Sequence, residues 1–140
     1  MCAVETLSVP GTLSGVLQAV QAFEQFGLVH QLSRGAMWRL PLALDEILSN
    51  IVRHGLAGRT ATIDLTFSLA GEDVVVEVVD AAEAFNPLLA PAPDNTAPLD
   101  ERQPGGLGIA LVRRLMDDTR YERRNGRNHF LMRCRADADR

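Results

Sequence analysis

Residues Thr60 to Asp80 read TATIDLTFSLAGEDVVVEVVD, and this stretch decides the fold. From Thr60 to Leu69 the pattern alternates without a fault. Ala61, Ile63, Leu65, Phe67 and Leu69 lie on one face, and Thr60, Thr62, Asp64, Thr66 and Ser68 on the other. A period of two marks a strand with one dry side and one wet side. Ala70-Gly71-Glu72-Asp73 supplies a turn. Val74 to Val79 then runs apolar on both faces except at Glu77, which places it in the middle of a sheet. Two such runs around a short turn predict a hairpin.

Upstream, Leu40 to Leu56 reads LPLALDEILSNIVRHGL. At about 100° per residue, Leu40, Leu44, Ile47, Leu48 and Ile51 share one arc of a helix. Glu46, Asn50 and His54 recur every four residues and form a near-axial stripe at the border of that arc. Two readings compete: an acid and an amide facing a cleft, or the wet side of an ordinary amphipathic helix. Pro41 suits the first turn, and Gly55 and Gly58 end the helix. Leu28 to Gly35 reads as a connection. Before it, Thr12 or Ser14 caps a helix whose apolar positions are Leu13, Val16, Leu17, Val20 and Phe23, with Gly27 as its stop. Val4 to Val9 is a first short strand, ended by Pro10-Gly11.

Downstream, Phe85 to Pro104 carries Pro87, Pro91, Pro93, Pro98 and Pro104 and forms no regular element. A loop of this length in a compact domain is a lid, a binding loop or a solvated linker. Gly105-Gly106-Leu107-Gly108 then opens a helix with Ile109, Leu111, Val112, Leu115 and Met116 apolar. Thr119 to Arg124 and Asn128 to Arg135 flank Asn125-Gly126, a type I′ hairpin signal, with Phe130, Met132 and Cys134 turned inward. The order is strand, two helices, two strands, loop, helix, two strands. It predicts an α+β two-layer sandwich: a mixed, mainly antiparallel sheet with helices on one face, in one domain spanning residues 1–140.

Composition narrows the function. The chain has 140 residues and a formal charge of −4, with no basic face, which argues against a nucleic-acid surface. It contains no lysine, so a lysine nucleophile and a P-loop lysine are excluded. Cys2 and Cys134 stand at opposite ends without metal-ligand or disulfide spacing. No apolar run approaches the ~18 residues of a membrane span, and no signal peptide is read. The expected location is the cytoplasm.

Three stretches carry chemistry. A glycine-rich helix start lets backbone N–H groups approach an anion, although helix–sheet packing also favours small residues there. Asp80, at the end of an apolar strand, either accepts a hydrogen bond from a base amino group or bonds its own turn. Asn50 offers an amide oxygen to Mg²⁺, which prefers oxygen ligands. Glu46, one turn earlier, is placed to take a proton from an attacking hydroxyl.

Together, in this order, these stretches resemble the GHKL (Bergerat-fold) ATPases, and within them the small bacterial anti-sigma-factor serine/threonine protein kinases. The resemblance runs from about Leu7 to Arg133. It rests on Leu44 to His54 (LDEILSNIVRH), on Val78-Val79-Asp80 through Phe85-Asn86-Pro87, and on Gly105 to Val112 (GGLGIALV) followed by Met116-Asp117 and a strand with Tyr121. It implies ATP and Mg²⁺ as cofactors. Glu46 would be the general base toward a partner's serine or threonine. Asn50 would ligate Mg²⁺, and Asp80 would bind the adenine amino group. Gly106, Leu107 and Gly108, flanked by Gly105 and Ile109, would hold the phosphates, 88–104 would be the ATP lid, and Phe85 would also contact the nucleotide. Arg102 and Arg53 are the candidate phosphate cations, while His54 is read as structural.

The implied partners are an anti-sigma-factor antagonist and a sigma factor, with a possible homodimer through the first strand and helix. Two positions depart from the family pattern. Ala82 stands where the family has glycine after Asp80, and Asn86 where it often has Asp. If position 82 needs φ > 0, alanine there costs on the order of 1 kcal/mol. A rival reading is therefore a partner-binding module with a weakened nucleotide site and no kinase activity. A histidine-kinase ATP-binding domain is a lesser alternative, because no dimerisation helix with a phosphoacceptor histidine is read ahead of it.

Overall fold

The computed structural model describes residues 3–56, 58–84, 86 and 106–139; for 106–108 it describes the backbone alone. Five strands form one sheet: β1 (Val4–Pro10), β2 (Thr62–Ala70), β3 (Asp73–Asp80), β4 (Asp118–Arg124) and β5 (Arg127–Arg135). Their order is β1-β2-β3-β5-β4, so the doubly apolar strand is central as its composition requires. Every pairing is antiparallel, in line with the mainly antiparallel sheet expected from the sequence, and no parallel pair makes it mixed among the described residues. The hairpins β2–β3 and β4–β5 account for two pairings. The returning strand β5 inserts beside β3, and β1 closes the far edge.

The sheet has one dry face. Ile63, Leu65 and Phe67 of β2, Val74, Val76 and Val78 of β3, and Phe130, Met132 and Cys134 of β5 are buried. Three helices cover them: α1 (Leu13–Val29), α2 (Arg34–Asn50) and α3 (Gly106–Leu115). Val16, Ala19, Phe23 and Phe26 of α1, Leu40, Leu44, Ile47 and Leu48 of α2, and Ile109 and Val112 of α3 join the same cluster. The opposite face carries half-buried Thr66, Glu77, His129 and Arg133, and half-buried Val75 and Val79 there explain the apolar look of β3.

Helix boundaries differ from the sequence reading in three places. Thr12 does cap α1, its Oγ1 accepting from Gly15 N at 3.1 Å. Gly27, however, does not stop that helix. It is buried inside it, and an added Cβ would lie 2.2 Å from Met37 Sδ, so its smallness serves the contact between α1 and α2. The stop falls at His30 and Gln31, the latter at φ 55°. Helix α2 begins at Arg34 rather than Leu40, capped by Ser33, whose Oγ accepts from Ala36 N at 3.2 Å. Pro41 thus lies inside the helix, because burial of Ala36, Leu40 and Ala43 outweighs one lost donor. Finally, α2 does not run on as α-helix: Ile51–Leu56 is a π-helical turn, with Gly55 inside it and Gly58 beyond it at φ +85°.

The second hairpin is as its turn chemistry requires. Asn125 and Gly126 have φ of 53° and 74°, both positive as a type I′ turn demands. Cys134 of β5 is a buried free thiol. Burial, followed by the nearby Asp117 carboxylate, pushes it up from an ordinary 9.0 to about 11. Between about pH 9 and 11 the native state therefore holds a proton that the unfolded chain has lost. This contribution to stability is complete below about pH 9 and fades as pH rises toward 11. In a Cys2→Ser background, Cys134 is expected to resist a chromogenic disulfide reagent at pH 8 until denaturant is added. Fast labelling of the folded protein would contradict its burial.

Candidate functional site

The end of α2, the π-turn and the ends of β3 and β5 enclose a hollow. It is lined by Ile47, Asn50, Ile51, Gly55, Asp80, Ala82, Tyr121, Asn128 and Phe130. It is narrow, about 20 Å³, room for one or two waters. Ile47, Ile51 and Phe130 make apolar walls, and Asp80, Asn50 and Asn128 bring polar groups. Apolar walls with a few convergent polar atoms are the lining of a small-molecule site, but the hollow is far below the roughly 300–1,000 Å³ of such a pocket.

Asn50 is buried, 6% exposed. Its Nδ2 donates to Glu46 O at 2.8 Å. Its Oδ1 makes no hydrogen bond among the described residues, yet no buried side-chain polar atom there lacks a partner, so Oδ1 keeps contact with solvent. The structure thus leaves a hard oxygen donor open beside the hollow. Among the described residues no group of three His, Cys, Asp or Glu could hold a metal. A lone amide oxygen nevertheless fits Mg²⁺, which keeps most of its shell as water and phosphate oxygen.

Asp80 is buried as well, 4% exposed. Its Oδ1 accepts from Ala82 N at 2.9 Å and from Asn128 Nδ2 at 3.0 Å. The first of these is an Asx turn, so the bland reading of Asp80 is true of one oxygen. Oδ2 makes no hydrogen bond among the described residues. The turn reading of Asp80 holds on Oδ1, and the base-amino reading is left to Oδ2.

Ala82 is not strained. The non-glycine residues with positive φ among the described residues are Gln31, Asn125 and Asp139, so the conditional penalty at position 82 does not arise. The Asx turn closes with ordinary φ, and alanine fits it. Its methyl is buried against the π-turn; a Cβ built on Gly55 would lie 3.4 Å from it. A π-turn spaces its hydrogen bonds from i to i+5, which carries Gly55 to this position.

The stripe read from the sequence divides accordingly. Asn50 lines the hollow. Glu46 is half-buried and outside its lining, and its carboxylate has no ion-pair or hydrogen-bond partner among the described residues. Arg53 and His54 are exposed and do not line it, because past Asn50 four residues no longer close a helical turn. Gly106, Leu107 and Gly108 form the first turn of α3, and the Ile109 side chain is buried in the core, 5% exposed. Phe85, Arg102, Gly105 and the proposed lid 88–104 lie outside the described residues.

The sequence reading missed Asn128, Tyr121 and Arg123 as site residues. Asn128 stands directly across from Asp80 in the β3–β5 register. The signal was available: Asn128 has the parity of inward-facing Phe130, Met132 and Cys134, and a polar residue on a dry face requires a partner.

A family profile described as histidine kinase-like ATPase domain matches residues 9–134. The chain is also similar to the serine/threonine-protein kinase BtrW of Bordetella bronchiseptica, 33% identical over 129 residues, covering 91% of each chain.

Proposed function

The chain belongs to the histidine kinase-like ATPase domain family, and from that premise we propose that it is an ATP-dependent protein serine/threonine kinase of the anti-sigma-factor type. Such a domain implies ATP as its nucleotide. The observation that carries the kinase reading is the open Oδ1 of buried Asn50 beside a hollow that also holds Asp80. Asp80 Oδ2 accepts the amino group of the base, and Ile47, Ile51 and Phe130 exclude water around it. Asn50 Oδ1 would supply one protein ligand to Mg²⁺, which would offset phosphate charge. The Glu46 carboxylate, unpaired among the described residues, takes the proton of an incoming serine or threonine hydroxyl. As it does so, that oxygen bonds to the γ-phosphorus of ATP, the bond from that phosphorus to the β,γ-bridging oxygen breaks, and ADP leaves. The first turn of α3 presents backbone N–H groups to the phosphates.

In this reading the substrate is an anti-sigma-factor antagonist and the sequestered partner a sigma factor, in the cytoplasm. Among the described residues no helix is long and apolar enough to cross a membrane. Val4 of β1 and Leu13 and Leu17 of α1 are exposed, which supports a homodimer through that surface, open to test by sedimentation equilibrium. The kinase reading is tested with γ-labelled ATP, Mg²⁺ and a cognate antagonist. Label is expected on a serine or threonine of the antagonist, and its transfer is expected to fail in Glu46→Gln. No transfer at saturating Mg-ATP would overturn the kinase, and undetectable ATP binding by calorimetry would favour the partner-binding module instead.

A further inference from the structure

Asn128 is 5% exposed and sits at the centre of a hydrogen-bond network. Its Oδ1 accepts from the Tyr121 hydroxyl and from Arg123 Nη1 at 3.1 Å. Its Nδ2 donates to Asp80 Oδ1 at 3.0 Å and to Glu83 O at 2.9 Å. An arginine can only donate and a carbonyl can only accept, so these partners leave the amide a single orientation. Arg123 Nη1 also donates to Ala82 O at 2.7 Å. The β4–β5 hairpin therefore grips the turn after β3 at both Ala82 and Glu83.

We propose that Asn128 is the positioning residue of the base site. Its amide holds Asp80 in the rotamer that occupies Oδ1 and offers Oδ2 alone to an incoming donor. The inference rests on the reading of Asp80 as the adenine contact, and deepens it by assigning the origin of base selectivity. A carboxylate free to rotate could shield Oδ2 or meet a water. One fixed by two N–H donors presents a single acceptor at a set angle, which rewards an amino group and rejects a keto oxygen. The amide dipole points its positive end at Asp80 and its negative end at the Arg123 guanidinium, so the hairpin stabilises the carboxylate it orients. Here the turn is held by side chains from two other strands, Arg123 of β4 and Asn128 of β5.

The test compares the affinities of ATP and inosine triphosphate, whose keto oxygen replaces the amino group. The wild-type protein is expected to favour ATP, and Asn128→Ala to reduce the ratio about tenfold while triphosphate-dependent binding persists. Tyr121→Phe removes one donor to the Asn128 oxygen and is expected to reduce the ratio by about threefold. It serves as the readout should Asn128→Ala not fold. An equal loss for both nucleotides, or an unchanged ratio, would show a merely structural Asn128 and overturn the proposal. No preference in the wild-type protein would overturn the adenine reading itself, and the positioning role with it.

Discussion

Asn50→Ala is expected to abolish phosphoryl transfer, by at least about 100-fold, with little loss of stability. The residue is buried but, among the described residues, its side chain makes one hydrogen bond, Nδ2 to Glu46 O, and that acceptor lies within its own helix. Removing the amide leaves the carbonyl to its usual helical partner. What disappears is Oδ1, the oxygen left open beside the hollow. The expected signature is a Mg²⁺ requirement shifted to much higher concentration, with circular dichroism and melting temperature nearly unchanged. Activity within threefold of wild type would remove Asn50 from the metal site. A collapse of the fold instead would make it a structural residue.

Phe67→Ala is expected to destabilise the protein by about 4 kcal/mol, lowering the melting temperature by roughly 10–15 °C. Phe67 is 0% exposed. Its ring meets Phe23 edge-on, with centroids 5.2 Å apart at 88°, and lies 5.7 Å from Phe26. This cluster joins β2 to α1, so truncation opens a cavity where sheet and helix meet and removes two aromatic contacts. Leu17→Ala on the exposed side of α1, where Leu17 is 59% exposed, is the control and should change stability by no more than about 0.5 kcal/mol in a monomer. A loss under about 1.5 kcal/mol for Phe67→Ala would mean that the site collapses around the gap.

The two substitutions separate what the core does from what the site does. Phe67 and Asp80 belong to adjacent, paired strands, and the register sets Ile63 against Asp80. The same alternation that buries Ile63, Leu65 and Phe67 brings Asp80 onto the dry face, at the strand end where the hollow begins. A carboxylate at that point requires donors, and Ala82 N and Asn128 Nδ2 supply them.

By itself the sequence determined the five strands, three helices and two hairpins, together with the inward faces of β2, β3 and β5. Hydrophobic period, capping side chains and turn residues act over a few neighbours and leave their mark locally. The family pattern likewise marked Asn50 and Asp80. Three features were decided only by tertiary structure. Gly27 reads locally as a stop and became a helix contact because Met37 packs on it. The end of α2 became a π-turn, which separated His54 from Asn50. Above all, which oxygen of Asp80 stays open depends on Asn128, 48 residues away in the chain, and is set only when β5 pairs with β3. Hydrogen bonds between distant strands have no local period, so the fate of a single polar atom is fixed by packing and not by its neighbours in sequence.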